Sequence, residues 1–460
     1  MVGRLRWLYN SRMAIERVRK LNALTALRFV AAAGVVVYHS EGHFGVPARW
    51  GGSRLPLGMG VSFFFVLSGF VLAYVYPALD DCAKRRKFWR ARFARVWPAH
   101  LGALLVLWGL FRHVRNFPMG YGSWWMAGLN VLMVHGWVPI QEFYFSYNPV
   151  SWSLSTELGF YLLFPLLIWR WERTWWWKFL AAFAVVAGLV YLCQSGIVPN
   201  TTNPWKAQWV GLLVTNPLAR LFEFMLGMLG ALVYRKTRPR IHMGMALGTL
   251  VEVAAVALMA YNFSHTDVVF RLQQVVPHVD ALMVWLAQPT CALTFLLVIY
   301  VLALEQGVMS RLLGMSAGVL LGEISFSVYL LHDLILTYYV HHEASFAGYA
   351  GWKLYGGYWV IVLLASWLMW AGFERPVRAW LVQLPRMRKK DEAAAIASTG
   401  ASAGQWGPLF TPSWRALGVG AGALVACLLP VLVILGHPAR LHASIEQKSA
   451  KTQAAPIGQK

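Results

Sequence analysis

The sequence predicts an all-α fold, a polytopic membrane helix bundle with a ten-helix core and one extra C-terminal transmembrane helix. Three observations carry this expectation. Hydrophobic residues make up 58% of the 460 and charged residues only 13%, about half the charged share of an ordinary soluble domain. The apolar residues collect into runs near the roughly 20 residues that a bilayer-crossing helix needs. Lys and Arg collect between alternate runs, as they do on the cytoplasmic side of membrane proteins. Such a composition rules out a disordered chain, a fibrous protein and a small disulfide scaffold, and it leaves too little polar surface for a water-soluble enzyme.

Residues 1–19 form a basic segment, read as a cytoplasmic N-terminus, with Arg4, Arg6, Arg12, Arg17 and Arg19. The apolar run at 21–39 is long enough to span, and no Ala-x-Ala-like cleavage site follows it. It therefore reads as an uncleaved anchor rather than a signal peptide. Further spans are expected at 57–76, 98–111, 151–169, 175–193, 209–234, 243–262, 281–304, 317–340 and 354–381. The stretch 121–139 is apolar but is broken by Gly122, Gly128, His135 and Gly136, and reads as interfacial or re-entrant. The membrane domain thus covers 20–385. A basic, Ala/Ser/Gly-rich cytoplasmic linker follows at 386–413, then the extra helix at 414–436 and a polar tail with the composition of disorder at 437–460.

The net charge of +22 follows from this layout. With the N-terminus inside, the C-terminus falls outside. Inner segments then hold 28 of the 41 Lys/Arg and outer segments 11, with Arg28 and Arg220 left inside spans. Basic inner loops are drawn to anionic lipid, so the bilayer is the expected partner and nucleic acid is not. The four cysteines, Cys82, Cys193, Cys291 and Cys427, are far apart and form no C-x-x-C. No metal site, redox pair or permanently bound cofactor is expected from them.

Polar groups inside spans are costly unless they are paired or face a cavity. In the first span Arg28 and His39 are eleven residues apart, which is about three turns plus 20°, so they share a face roughly 16 Å apart along the axis. Two readings fit: a snorkelling Arg and an interfacial His, or a fixed cation and a titratable base on one interior path. The run Asn148-Pro149-Val150-Ser151-Trp152-Ser153-Leu154-Ser155-Thr156-Glu157 reads as a helix start. Glu157 there either stabilises the helix N-terminus or lies near His39, orienting it or raising its basicity. In the ninth span His332 follows Glu323 by nine residues and precedes Asp333. On the inner side Lys84, Arg85, Arg86, Lys87, Arg90, Arg92 and Arg95 lead up to Pro98, and Glu374-Arg375-Pro376 closes the tenth span. A basic mouth of this kind suits a phosphorylated donor such as a coenzyme A ester.

Taken in order, these pieces resemble the acyltransferase-3 family of integral-membrane O-acyltransferases. The likeness begins at Leu27-Arg28-Phe29 and the His39 that closes an Arg-x10-His spacing, then continues through Gly60–Phe70 with Ser68. Phe88, Arg92, Arg95 and Pro98 follow, then Trp152 to Glu157 with Phe160-Tyr161 and Phe164-Pro165. Ile324 to His332, with Ser325 and Tyr329, and Glu374-Arg375-Pro376 complete it. Ser62 stands where many relatives carry Asp. The resemblance implies transfer of an acyl group, usually acetyl, from cytoplasmic acyl-coenzyme A to a sugar hydroxyl of a glycan or glycolipid at the surface of a bacterial inner membrane. It implies that His39, Glu157 and His332 are catalytic and that Arg28, Arg92 and Arg95 hold the donor. Trp152, Ser68, Ser325, Tyr329, Glu374 and Arg375 are implied to bind substrate or hold structure. The competing expectation is a transporter or flippase, for which Arg28, Arg220 and Glu223 would supply a polar path.

Overall fold

A computed structural model describes residues 19–44, 57–111, 124–266, 268, 276, 278–346 and 348–383. The extra helix expected at 414–436, the linker, the tail and most of the basic N-terminus lie outside the described residues. The chain divides into two units, Met1–Ser366 and Trp367–Lys460. The described residues are helical without a strand, apart from one antiparallel bridge between Ile140 and Ala207.

In order, the helices are α1 (Asn22–Phe44), α2 (Gly60–Val75), α3 (Cys82–Phe111), α4 (Trp124–Val131), α5 (Trp152–Ile168), α6 (Trp171–Gln194), α7 (Leu221–Thr237), α8 (Met245–Ser264), α9 (Asp280–Leu286), α10 (Ala292–Leu304), α11 (Val308–Leu313), α12 (Ser316–His341) and α13 (Gly351–Met369). Eight described helices are long and apolar enough to cross a bilayer, or nine when the bent α9–α10 pair is one span. The chain is a multi-pass membrane protein. Many of its large exposed side chains are apolar, such as Leu180, Leu250, Leu293 and Val360, as a lipid-facing surface requires.

Three expected spans have different bounds. The third begins at Cys82, sixteen residues before the expected Pro98, and runs on through that proline. Lys, Arg and Ala are strong helix formers, and one proline removes a single backbone donor. The sixth is broken. A π turn at Gly211–Thr215 ends at Asn216-Pro217, and α7 starts only at Leu221. The residue before a proline is pushed out of helical geometry. The eighth bends by 48° between α9 and the stretch Pro289–Leu304, again at a proline. Lys178, inside the span expected at 175–193, lies within α6 and is buried. Its ammonium donates to the carbonyls of Leu166 (3.2 Å), Leu167 (2.8 Å) and Trp169 (2.6 Å). It thereby satisfies the C-terminal acceptors of α5.

Two tight helix pairs organise the first unit. α2 and α7 run parallel, from the Ser62–Arg220 contact at one end to Tyr74–Tyr234 at the other. A Cβ on Gly227 would lie 1.9 Å from the Val66 carbonyl oxygen, so only glycine admits this approach. α1 and α12 also run parallel. A Cβ on Gly322 would meet the Thr25 carbonyl at 1.9 Å, and His332 meets His39 further along. Elsewhere the buried Glu252 of α8 accepts the backbone N–H groups of Gly307 (3.0 Å), Met309 (2.9 Å) and Ser310 (3.3 Å). A carboxylate from one helix thus caps the start of another, α11.

Candidate active site

Five helices bring their polar residues to one cavity of about 100 Å³. α1 supplies Arg28, α2 Ser68, α3 Arg92 and Arg95, α5 Ser153, Glu157 and Tyr161, and α12 Ser325 and Tyr329. The early start of α3 is what makes this possible, because Arg92 and Arg95 are three residues apart on a helix and so share a face. Glu157 accepts a hydrogen bond from Ser68 Oγ (3.0 Å) and another from the Tyr161 hydroxyl one turn along α5. It is the one carboxylate among the lining residues, against three guanidinium groups. Arg28 lies in the field of Glu157, Arg92 and Arg95. Arg92 Nε is buried with no hydrogen-bond partner among the described residues. An excess of positive charge with an unspent donor is suited to an anion.

A second cluster lies further along the same helix pair. His39 Nδ1 and His332 Nε2 are 2.9 Å apart, and their rings stack with centroids 5.2 Å apart. His332 is fully buried and His39 partly so. His332 Nδ1 lies 3.2 Å from the Val328 carbonyl, which can only accept. That assigns the proton to Nδ1 and leaves the Nε2 lone pair facing His39. His39 Nδ1–H then donates to it, and the free lone pair of His39 is on Nε2. The Tyr358 hydroxyl donates to the His332 carbonyl at 3.1 Å. The side chain of Asp333 adds a carboxylate to this cluster. The ligating atoms of His39, His332 and Asp333 all lie within 4.8 Å of one another.

Tyr329 connects the two clusters. It lines the cavity, its ring lies against that of His332 at 5.9 Å, and its hydroxyl meets Ser153 Oγ (2.8 Å) and the Val150 carbonyl (3.0 Å). His39 is not among the cavity-lining residues, and Glu157, expected beside it, is bonded to Ser68 and Tyr161. Ser325 lines the cavity while its hydroxyl donates to Gly322 (2.8 Å). Trp152 stands apart from the cavity lining, with its ring 5.9 Å from the Arg220 guanidinium. Glu374 and Arg375 belong to the second unit. There Glu374 is buried and Arg375 stacks over Trp370 at 5.6 Å.

Two groups take roles that the sequence did not assign to them. Tyr161 is one, although its four-residue spacing from Glu157 on a helix was a usable signal. The other is a buried lock around Arg220. Its guanidinium donates to Glu223 from Nε (3.0 and 3.1 Å) and Nη2 (2.7 Å), to Ser62 Oγ from Nη2 (2.7 Å), and to the Val214 carbonyl and Gln288 Oε1 from Nη1 (both 3.1 Å). All five N–H groups of the fork are engaged. Ser62 passes the contact on to the Gln288 carbonyl (3.0 Å). The lock ties both proline breaks to α2.

A multi-pass helical protein with this pairing of arginines and imidazoles is a membrane-embedded acyltransferase, as the comparisons with known proteins establish. The family profile described as an acyltransferase domain matches residues 21–371, and the chain belongs to that acyltransferase-3 family. It is 31% identical over 357 residues to the acyltransferase MdmB of Streptomyces mycarofaciens, covering 73% of this chain and 84% of that one. It is 28% identical over 169 residues to the O-acetyltransferase OatA of Staphylococcus aureus (strain NCTC 8325 / PS 47), covering 33% of this chain and 25% of that one. A putative O-acetyltransferase of Staphylococcus aureus (strain COL) is 27% identical over 172 residues, with the same coverage. The match thus spans about a quarter of the staphylococcal proteins. No solved structure matches the chain.

Proposed function

We propose that this membrane acyltransferase moves an acyl group, acetyl by preference, from cytoplasmic acyl-coenzyme A to a hydroxyl of a sugar in an exported or cell-surface glycan or glycolipid. One observation carries the reading. The parallel pair α1–α12 holds a guanidinium-lined cavity at one level and the paired imidazoles at another, roughly 16 Å apart by the helical rise between Arg28 and His39. Arg28, Arg92 and Arg95 bind donor phosphates, for which the planar fork is the best-matched cation. The arm of coenzyme A between its phosphates and its thioester is long enough to bridge the two levels.

A hydroxyl is a weak nucleophile until a general base takes its proton. His39 Nε2 is that base. It removes the acceptor proton as the hydroxyl oxygen attacks the thioester carbonyl. The coenzyme A thiolate leaves and takes the proton back from the imidazolium. The same lone pair would carry the acyl group if transfer ran through an acyl-enzyme. His332 fixes the tautomer of His39. Glu157 orders the arginine cavity through Ser68 and Tyr161. The name O-acetyltransferase carried by the staphylococcal relatives supports acetyl as the group and oxygen as its acceptor. The uneven Lys/Arg distribution supports a bacterial cytoplasmic membrane with the N-terminus inside and the C-terminus outside.

A flippase reading draws no support from Arg220, since its five donors are engaged within the protein. The test uses purified full-length protein with radiolabelled acetyl-coenzyme A and a sugar acceptor. Label on the acceptor or held on the protein is expected, with loss of both in His39→Ala that still inserts. Normal product from that variant would refute the role of His39. Label that stays on coenzyme A while glycan crosses the bilayer would favour transport.

A further inference from the structure

We infer that His39, His332 and Asp333 form a binding site for a divalent transition-metal ion, zinc above all, and that the bound ion switches acyl transfer off. The ligand set is two imidazoles and a carboxylate, whose ligating atoms lie within 4.8 Å of one another. Two nitrogens 2.9 Å apart, each about 2.1 Å from a common ion, subtend an angle of about 90°. A tetrahedral zinc ion needs about 109°, which a separation of about 3.4 Å gives, so the two nitrogens part by about half an ångström when the ion enters. The ligating oxygen of Asp333 lies within 4.8 Å of both nitrogens, and it reaches the same tetrahedral separation by moving at most about 1.4 Å.

Two further features fit a metal site. His332 donates its other ring nitrogen to the Val328 carbonyl (3.2 Å), the outer contact that fixes the tautomer of a metal-bound His. His39 and Asp333 are each only partly buried, while His332 is fully buried. The protein therefore leaves the cluster unsealed at the first two. The two imidazole donors favour zinc, copper, nickel or iron over magnesium and calcium.

The inhibition rests on the proposed role of His39 as base. Without the ion, His39 carries its proton on Nδ1 and the lone pair on Nε2. An ion on Nδ1 forces that proton onto Nε2, and the base becomes a donor. No proton need be lost from the protein as a whole, and no bond other than the metal–ligand bonds is made.

The test uses full-length protein purified in detergent through a tag free of histidine, in a Cys82→Ser background so that the exposed thiol takes no metal. Calorimetric titration with zinc chloride should show about one ion per chain, and magnesium none. Asp333→Asn and His332→Gln should each weaken zinc binding at least about tenfold. Equal stoichiometry and affinity in Asp333→Asn would overturn the site. Acyl transfer should fall over the same zinc range and return with EDTA, and the half-inhibiting concentration should rise at least about tenfold in Asp333→Asn. Zinc bound with undiminished transfer would overturn the switch. The titration needs no turnover, so protein that binds zinc as described but never transfers an acyl group sinks the proposed function and leaves the site standing.

Discussion

His332 presents a lone pair to His39 across 2.9 Å because its other ring nitrogen is committed to the Val328 carbonyl. The side chain that replaces it decides how much of this survives. Glutamine offers a carbonyl oxygen to the His39 Nδ1–H, and alanine offers nothing. His332→Ala is expected to lower kcat by about 100-fold, within the range of a disturbed general base, with His332→Gln retaining several times more. The pH profile of kcat/KM should shift in the alanine variant. Equal losses, with unchanged profiles, would contradict the acceptor role.

Arg92 has a buried Nε without a hydrogen-bond partner among the described residues. A hydrogen bond between charged groups contributes about 1.5–3 kcal/mol. Arg92→Gln is therefore expected to raise the KM for the acyl donor roughly 10- to 100-fold with a smaller effect on kcat. Donor binding to the native protein should also weaken as salt is added, and the variant should show a shallower dependence. Steady-state kinetics at several ionic strengths checks both points.

Gly227 approaches the Val66 carbonyl so closely that an added Cβ would lie 1.9 Å from its oxygen, whereas Gly188 has nothing within 4 Å. Gly227→Ala should destabilise the protein by about 1–3 kcal/mol, the usual range for overpacking. Gly188→Ala should be neutral or slightly stabilising, since alanine is the better helix former. Thermal unfolding of both variants in detergent, followed by tryptophan fluorescence, provides the comparison.

Arg220 and Glu223 are each about 1% exposed and lie 2.7 Å apart. Removing one partner strands a charge and costs about 3–5 kcal/mol, while removing both costs far less. Arg220→Met and Glu223→Gln should each lower the melting temperature strongly, and the double variant should recover much of the loss. Additive losses in that cycle would mean that the pair is not coupled.

The sequence displayed most of the membrane-crossing helices because apolar runs of that length can be read from the residues alone. It hid the true start of α3, since the run from Lys84 to Arg95 has the composition of an inner loop. Pro217 and Pro289 were visible as breakers, but long apolar runs on both sides suggested unbroken spans. Glu157 lies at a helix start that could be read, yet its partner Ser68 comes from α2, 89 residues away in the chain. The meeting of His39 with His332, 293 residues apart, depends on glycine contacts between α1 and α12 that no local pattern encodes.

Glu252 sets a timetable for biogenesis. Its carboxylate sits in α8, a helix that is mostly not buried by protein, while the amide groups that satisfy it begin 55 residues later, at Gly307. At 5–20 residues per second, the ribosome takes about 3–11 s to deliver them. Until then Glu252 lacks all three of its backbone donors at Gly307, Met309 and Ser310. The carboxylate is thus satisfied only once the start of α11 has been made.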